Sequence, residues 1–182
     1  TIYRNFLTLQ IPGYAFHAMN ITDAIAILDS QVTRPSDGLS QDLFYYISRT
    51  TPLVNVDLLI RDECDRKLLA WRNDQYTGAG WHVPGGILRF KETLEDRVRK
   101  VAETEIGTLV EFDPEPLAVK QIITKEHKIR SHFISILYKC FLSKHTILKN
   151  NGLSINDPGY LKWHIKCPDD LLKYHEMYID YM

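Results

Sequence analysis

Cysteine is scarce in this chain and poorly spaced for cross-linking. Cys64, Cys140 and Cys167 are odd in number and form no C-x-x-C pair. That argues against a disulfide framework and a zinc knot, and makes a reducing cytosol the expected setting. No apolar run approaches the ~20 residues that cross a bilayer, and the opening TIYRNFLTLQ carries no signal-peptide pattern. Charge of one sign is also lacking. Lys and Arg number 22 against 23 Asp and Glu, a formal net charge of -1. No global field draws the chain to nucleic acid or to an anionic membrane, so a phosphate-bearing ligand must be held by local groups. Repeats and low-complexity tracts are absent. None of the seven histidines pairs at H-x-x-x-H, which argues against a dedicated transition-metal site.

What is present is an ordinary globular composition: 182 residues, 45% hydrophobic and 25% charged, enough for one domain with a proper core. Residues 1–38 read as a helical extension that packs on the main domain or forms a subunit contact. In it, Asn20 to Asp23 start a helix with apolar residues at Ala24, Ile25, Ile27 and Leu28. Ser40 is placed to cap a short helix through Leu43 and Tyr46. From Pro52 the pattern turns to strands: LVNVDLLI, KLLAWR, and a short one from Trp81 to Val83 that runs into Pro84-Gly85-Gly86. A helix is predicted from Leu94 to Ile106, with Thr93 as N-cap, Asp96 at N3 and Gly107 just past its end. PLAVKQIITKE and SHFISILYKCFLS form a hairpin around His127–Arg130. KNNGLSINDPG is a polar loop, YLKWHI a strand, and the chain closes in a helix starting at Pro168.

The helix TLEDRVRKVAETEIG carries an anomaly. At 3.6 residues per turn, Leu94, Val98 and Val101 form the core-facing stripe, and Glu105 continues it. A carboxylate there either leans into water from the last turn or is compensated by something that pairs with it. Mg²⁺ suits that role, because it is held by one or two carboxylates together with waters and substrate phosphate. Gly85 and Gly86 lie just before the helix, and two adjacent glycines let backbone approach a ligand closely.

Together these residues resemble the Nudix box, G-x5-E-x7-R-E-U-x-E-E-x-G-U, where U is a bulky apolar residue. Gly86, Glu92, Ala102, Glu105 and Gly107 fall in register; Lys100, Val101 and Thr104 stand where the family has Arg, Glu and Glu. The segments RTTPLVNVDLLI and LLAWRNDQYTGAGWHVPGGILRFKETLEDRV look like the GDP-mannose mannosyl hydrolase branch, which also lacks part of the glutamate cluster. The similarity runs from about Leu39 to Gly107 and is looser afterwards.

The resemblance implies an α/β fold: a Nudix-type α/β/α sandwich over 39–182, its mixed sheet between the box helix and the C-terminal helix. It implies a cytoplasmic hydrolase, often a homodimer, that uses Mg²⁺, with Mn²⁺ as the alternative, on a small-molecule nucleotide-sugar. Gly85 (carbonyl) and Glu105 would hold the metal. Arg72 and Gly86 would lie at the substrate's diphosphate, Asp57 near the leaving diphosphate or the metal's water shell, and Glu92 would brace the loop by pairing with Lys100. The branch has an Arg directly after the glycine pair, where this chain has Ile87. It also has a Gln-His pair on a loop before a Trp-bearing strand; the matching loop here offers Asn156 and Asp157. Asp157 and His132 are therefore the candidate proton acceptors, with Glu105 as a further catalytic acid. His132 is chosen because its strand faces the cleft in the resembling family; His127 and His82 are weaker candidates. Two other readings stand beside this one: attack at phosphorus of a different nucleoside diphosphate derivative, and a nucleotide-sugar-binding module without turnover.

Overall fold

The computed structural model describes residues 20–125 and 129–182. The start of the expected N-terminal extension and the hairpin residue His127 lie outside that range. A first unit, ending at Thr33, contains α1 (Ile21–Ser30). Its N-cap Asn20 forms a reciprocal capping box with Asp23. The second unit runs from Arg34 to Met182.

The second unit opens with α2 (Gln41–Ser48). Ser40 stands at its N-cap without making the capping bond expected of its hydroxyl. The strands follow as β1 (Leu53–Arg61), β2 (Lys67–Asp74), β3 (Gly78–His82) and β4 (Gly85–Ile87). After α3 (Leu94–Val101) come β5 (Glu111–Phe112), β6 (Ala118–Ile123), β7 (His132–Phe141) and β8 (Leu161–His164). They form one eight-stranded sheet with the central order β3-β2-β1-β7-β5, while β4 pairs with β1, β6 with β7 and β8 with β2. β1 and β7 are parallel along their shared length, from Leu53↔Phe133 to Arg61↔Phe141. The other pairings are antiparallel, so the sheet is mixed.

Side-chain alternation along β1 divides the core in two. Val56, Leu58 and Ile60 point to one face and pack with Val98, Val101, Ala102 and Ile106 of the box helix. Leu59 points to the other and packs with Leu69, Trp81, Leu137 and Tyr178. The sheet is thus covered on one side by the box helix and on the other by the C-terminal segment, the expected α/β/α layering.

Three local expectations are corrected. The box helix is α-helical only to Val101, and Ala102–Ile106 is a π turn. The Gly107 amide reaches back to the Ala102 carbonyl at 3.0 Å, and the Thr104 hydroxyl donates to the Lys100 carbonyl at 2.8 Å, a back-bond that perturbs the helical ladder. The C-terminal segment does not start its helix at Pro168. Pro168 instead opens a turn, its carbonyl accepting the Leu171 amide; the Trp81 amide donates to the Asp170 carbonyl and the Leu172 amide to the Trp81 carbonyl, so Leu171 bridges to β3 and only Lys173–Tyr181 coils, as a 3-10 helix. Finally, the glycine pair, expected only as the chain into which the Trp81–Val83 strand runs, forms a separate strand, β4.

Two substitutions test this packing. Leu58, fully buried on the α3 side, should cost about 2–5 kcal/mol when changed to Ala. Thr93, whose hydroxyl accepts from the Asp96 amide at 3.1 Å, should cost about 1 kcal/mol as Thr93→Ala. Urea unfolding midpoints measure both.

Candidate active site

Strand β4 passes beside β1 in a register that leaves Gly85 chemically free. The Leu58 amide donates to the Pro84 carbonyl and the Leu88 amide to the Val54 carbonyl. Those bonds alternate with non-bonded pairs in an antiparallel ladder. Gly85, opposite Asp57, falls at a non-bonded pair, so its carbonyl points out of the ladder. No side chain fits at Gly85: a Cβ would come within 2.0 Å of Asp57 Oδ1. Its neighbour Gly86 faces α3, where a Cβ would meet Val101 Cγ2 at 3.0 Å. The box helix therefore crosses the glycine strand at Val101, one turn before Glu105.

Glu105 has one-third of its side chain exposed and makes no ion pair with Lys or Arg among the described residues. The imidazole of His82 is 4.0 Å from Oε2. Burial raises the Glu105 pKa above the usual carboxylate range, opposed by the charges of Arg72 and Lys149. His82 is itself buried, and among the described residues neither ring nitrogen meets a hydrogen-bond partner. Burial first, then Arg72 and His175, push its pKa well below the ordinary imidazole value, so it is neutral and leaves the glutamate charge uncompensated.

Beside these groups lies a cavity of about 230 Å³ whose wall includes Asn55, Asp57, Arg72, His82 and Gly85. Asp57 is at its floor, buried, and receives three donors. The Tyr178 hydroxyl donates at 2.7 Å, Asn55 Nδ2 at 2.7 Å, and the Ser135 hydroxyl closes the set. Burial raises the Asp57 pKa to about 6 in spite of these bonds and of Arg72. Arg72 continues the face of β2 that carries Leu68 and Ala70 and lies 3.8 Å from Asp74.

The loop brace differs from expectation. Glu92 pairs with Arg97, whose Nη2 and Nε approach Oε2 at 2.7 and 2.8 Å, and the same oxygen accepts the Arg89 amide at 2.9 Å. Lys100 instead lies 3.6 Å from Glu103 on the exposed side of the helix. Arg97 is one helical turn earlier, on the side facing the loop, and its planar fork donates twice where an ammonium acts as a point charge.

Neither expected proton acceptor lies in the cavity wall. Asp157 closes its own turn, accepting the Ser154 amide at 2.6 Å. His132 lies 3.0 Å from Gln121 Nε2. Strand alternation turns Phe133 and not His132 into the cavity. In their place the structure brings residues that spacing did not single out. Arg89 and Arg130 line the cavity, and so does His175. Arg89 carries the one available signal: two residues after Ile87 in extended chain, it shares that residue's face. Arg130 is held over the rings of Tyr76 and Phe44, 5.2 and 5.8 Å from their centroids.

The donor set can be tested against the divalent ion that the resemblance implies. The Gly85 carbonyl and the Glu105 carboxylate are uncommitted, while Val101 is buried in the core and the Thr104 hydroxyl is spent on the helix backbone. Among the described residues no three His, Cys, Asp or Glu groups cluster to hold a metal. The residues thus fit Mg²⁺ held by one carboxylate, one carbonyl, waters and a ligand's phosphate, and do not fit a closed protein cage.

No family model matches the chain. Among solved structures, the MutT protein of Methanosarcina mazei superposes with a TM-score of 0.57 at 20% identity, covering 72% of this chain and 94% of that one. The chain has the Nudix fold. The bifunctional NMN adenylyltransferase/ADP ribose pyrophosphatase of Francisella tularensis, complexed with AMP and a manganese ion, superposes with a TM-score of 0.55 at 18% identity, over 78% of this chain and 44% of that one. In sequence, the chain is 36% identical over 84 residues to the low-salt glycan biosynthesis protein Agl8 of Haloferax volcanii, a match to 46% of this chain. It spans about half, 53%, of that relative's length.

The Gly85–Asp57 contact generates two expectations. Gly85→Ala overpacks the floor and should cost about 1–3 kcal/mol, read from thermal or urea unfolding. Between the ordinary Asp value of 3.8 and about 6, the folded chain holds a proton on Asp57 that the unfolded chain releases. The contribution of Asp57 to stability therefore falls as pH rises through that window. Asp57→Asn should remove this pH-dependent component, seen as a flatter stability profile in urea melts between pH 4 and 7.

Proposed function

We propose that this chain is a metal-dependent hydrolase of nucleoside diphosphate-sugars, similar to the GDP-mannose mannosyl hydrolases, in which water attacks the anomeric carbon and the nucleoside diphosphate leaves. The observation that carries the reading is Glu105, a partly buried carboxylate with no Lys or Arg ion pair among the described residues, placed by the box helix next to a glycine strand whose carbonyl leaves the ladder. The guanidinium groups of Arg72, Arg89 and Arg130 in the cavity wall suit an anionic ligand, because the one carboxylate among them is already saturated by Ser135, Tyr178 and Asn55. The partial likeness to Agl8 supports a nucleotide-sugar over other diphosphates. With the reading come the homodimer and the cytosolic setting that the resemblance implies.

Gly85 and Glu105 would hold Mg²⁺, with Mn²⁺ as the alternative, and the ion would help neutralise charge on the diphosphate. Arg72, beside them, supports the leaving group with its own charge. The loop that carries Arg89 is fixed by Glu92 and Arg97, so that guanidinium is presented from a braced backbone.

The deciding experiment incubates the protein with Mg²⁺ and GDP-mannose in ¹⁸O-water. Label in the free sugar supports the proposal. Label in a phosphate product moves the attack to phosphorus, and binding without turnover makes the chain a binding module. Glu105→Gln should abolish metal-dependent turnover while leaving the urea midpoint within about 1 kcal/mol of stability of the parent. Because the chain gives the ion a single carboxylate, Mn²⁺ should bind at least about tenfold more tightly with GDP present than alone, as measured by the paramagnetic signal of free Mn²⁺.

A further inference from the structure

The cavity contains an imidazole whose role the proposed reaction leaves unassigned. His175 comes from the 3-10 segment Lys173–Tyr181 and lines the cavity. Its Nδ1 is buried, with no hydrogen-bond partner among the described residues. The ring lies 5.9 Å from that of His82 and 5.8 Å from that of Tyr178, so it stands between the Glu105 end of the site and the Asp57 floor.

The other candidate bases are each worse placed. Asp57 receives three donors and is buried behind them. His82 is almost fully buried and turned toward Glu105. Asp157 and His132 lie outside the wall. The ring of His175 is half-buried as a whole with its Nδ1 enclosed, and the segment that carries it packs on the face of the sheet opposite the box helix.

We propose that His175 is the group that takes the proton of the attacking water. The inference rests on the hydrolase reading and holds for attack at carbon or at phosphorus. In the step, the water oxygen forms a bond to the electrophilic centre. The bond from that centre to the leaving oxygen breaks, and its electron pair departs with the phosphate-bearing group. The water proton passes to an imidazole nitrogen of His175, which returns it to solvent after the products leave.

The charges around the ring keep it free of a proton before a substrate arrives. Arg72 from β2 faces it, His82 from β3 is neutral, and Tyr178 on its own segment shares a proton network with Asp57 of β1. Burial, then Arg72, hold the His175 pKa at about 3, so the free ring is unprotonated at neutral pH. A bound diphosphate beside Arg72 would cancel part of that cation's charge and raise the ring's affinity for a proton as the substrate arrives.

The test compares the parent protein with His175→Gln on GDP-mannose and ADP-ribose with Mg²⁺. Loss of a general base should lower kcat about 100-fold or more, leave KM within a few-fold, remove the acid limb of the pH–kcat profile, and be partly reversed by added imidazole. A His175→Gln protein with parental kcat, or one changed in KM alone, overturns the proposal. Circular dichroism and the thermal midpoint show whether the variant is folded. If it is not, His175→Asn and imidazole rescue of that protein replace it, and folded His175→Asn with parental kcat overturns the proposal equally. If the parent turns over neither compound, the hydrolase reading fails separately. The ring resonances of His175, identified by their loss in the variant, then decide. A pKa raised by saturating GDP and Mg²⁺ supports its placement at the phosphate, and resonances that GDP does not move overturn it.

Discussion

The site is organised around one carboxyl group. Asp57 projects from the central strand and accepts from Asn55, Ser135 and Tyr178, which belong to β1, β7 and the C-terminal segment. The same group fills the space above Gly85 where any side chain would stand. A buried carboxyl left without partners is costly, so the three donors and the missing Cβ are held to one geometry. That geometry sets the separation between the glycine strand, the parallel strand pair and the C-terminal wall. The cavity is the space left among them.

Electrostatically the site has a second organiser, Arg72. Its charge acts on Asp57, His82, Glu105 and His175. It favours the ionised carboxylates and disfavours protonated imidazoles, while burial opposes the first effect and reinforces the second. Two neutral imidazoles and one uncompensated glutamate result. An exposed ion pair in the same place would be screened and satisfied by water; here the low-dielectric wall keeps the imbalance.

Much of the fold was legible in the sequence, because it depends on short-range patterns. The strand runs, the Thr93 cap and the Gly107 stop are set by neighbours a few residues apart, and α3 and β1 formed where the periodicity placed them. The resemblance placed Gly85, Glu105 and Arg72 near one another, and the structure brings them to one end of the sheet. What failed depended on register or on distant partners. Lys100 lost Glu92 to Arg97 because a loop's approach angle to a helix is not written in residue spacing. His132 was misdirected because the strand's start fixes which alternate residue turns inward. Pro168 suggested a helix start, but β3 supplied stronger hydrogen bonds to the same stretch. His175 and Tyr178 gave no local sign of their position, since what they meet lies on β1, β3 and β7.

The Tyr178–Asp57 bond joins residues 121 positions apart, and β1 pairs in parallel with a strand about eighty residues downstream. Contacts of such long range close late, after the entropy of the intervening loop has been lost. During synthesis, the glycine strand and box helix can form early, but the cavity floor stays open to water until the 173–181 segment has left the ribosome and docked. Newly made chains would therefore expose this acid to water for longer than most of their core, and any ligand of the cavity would favour the finished state only after that segment has docked.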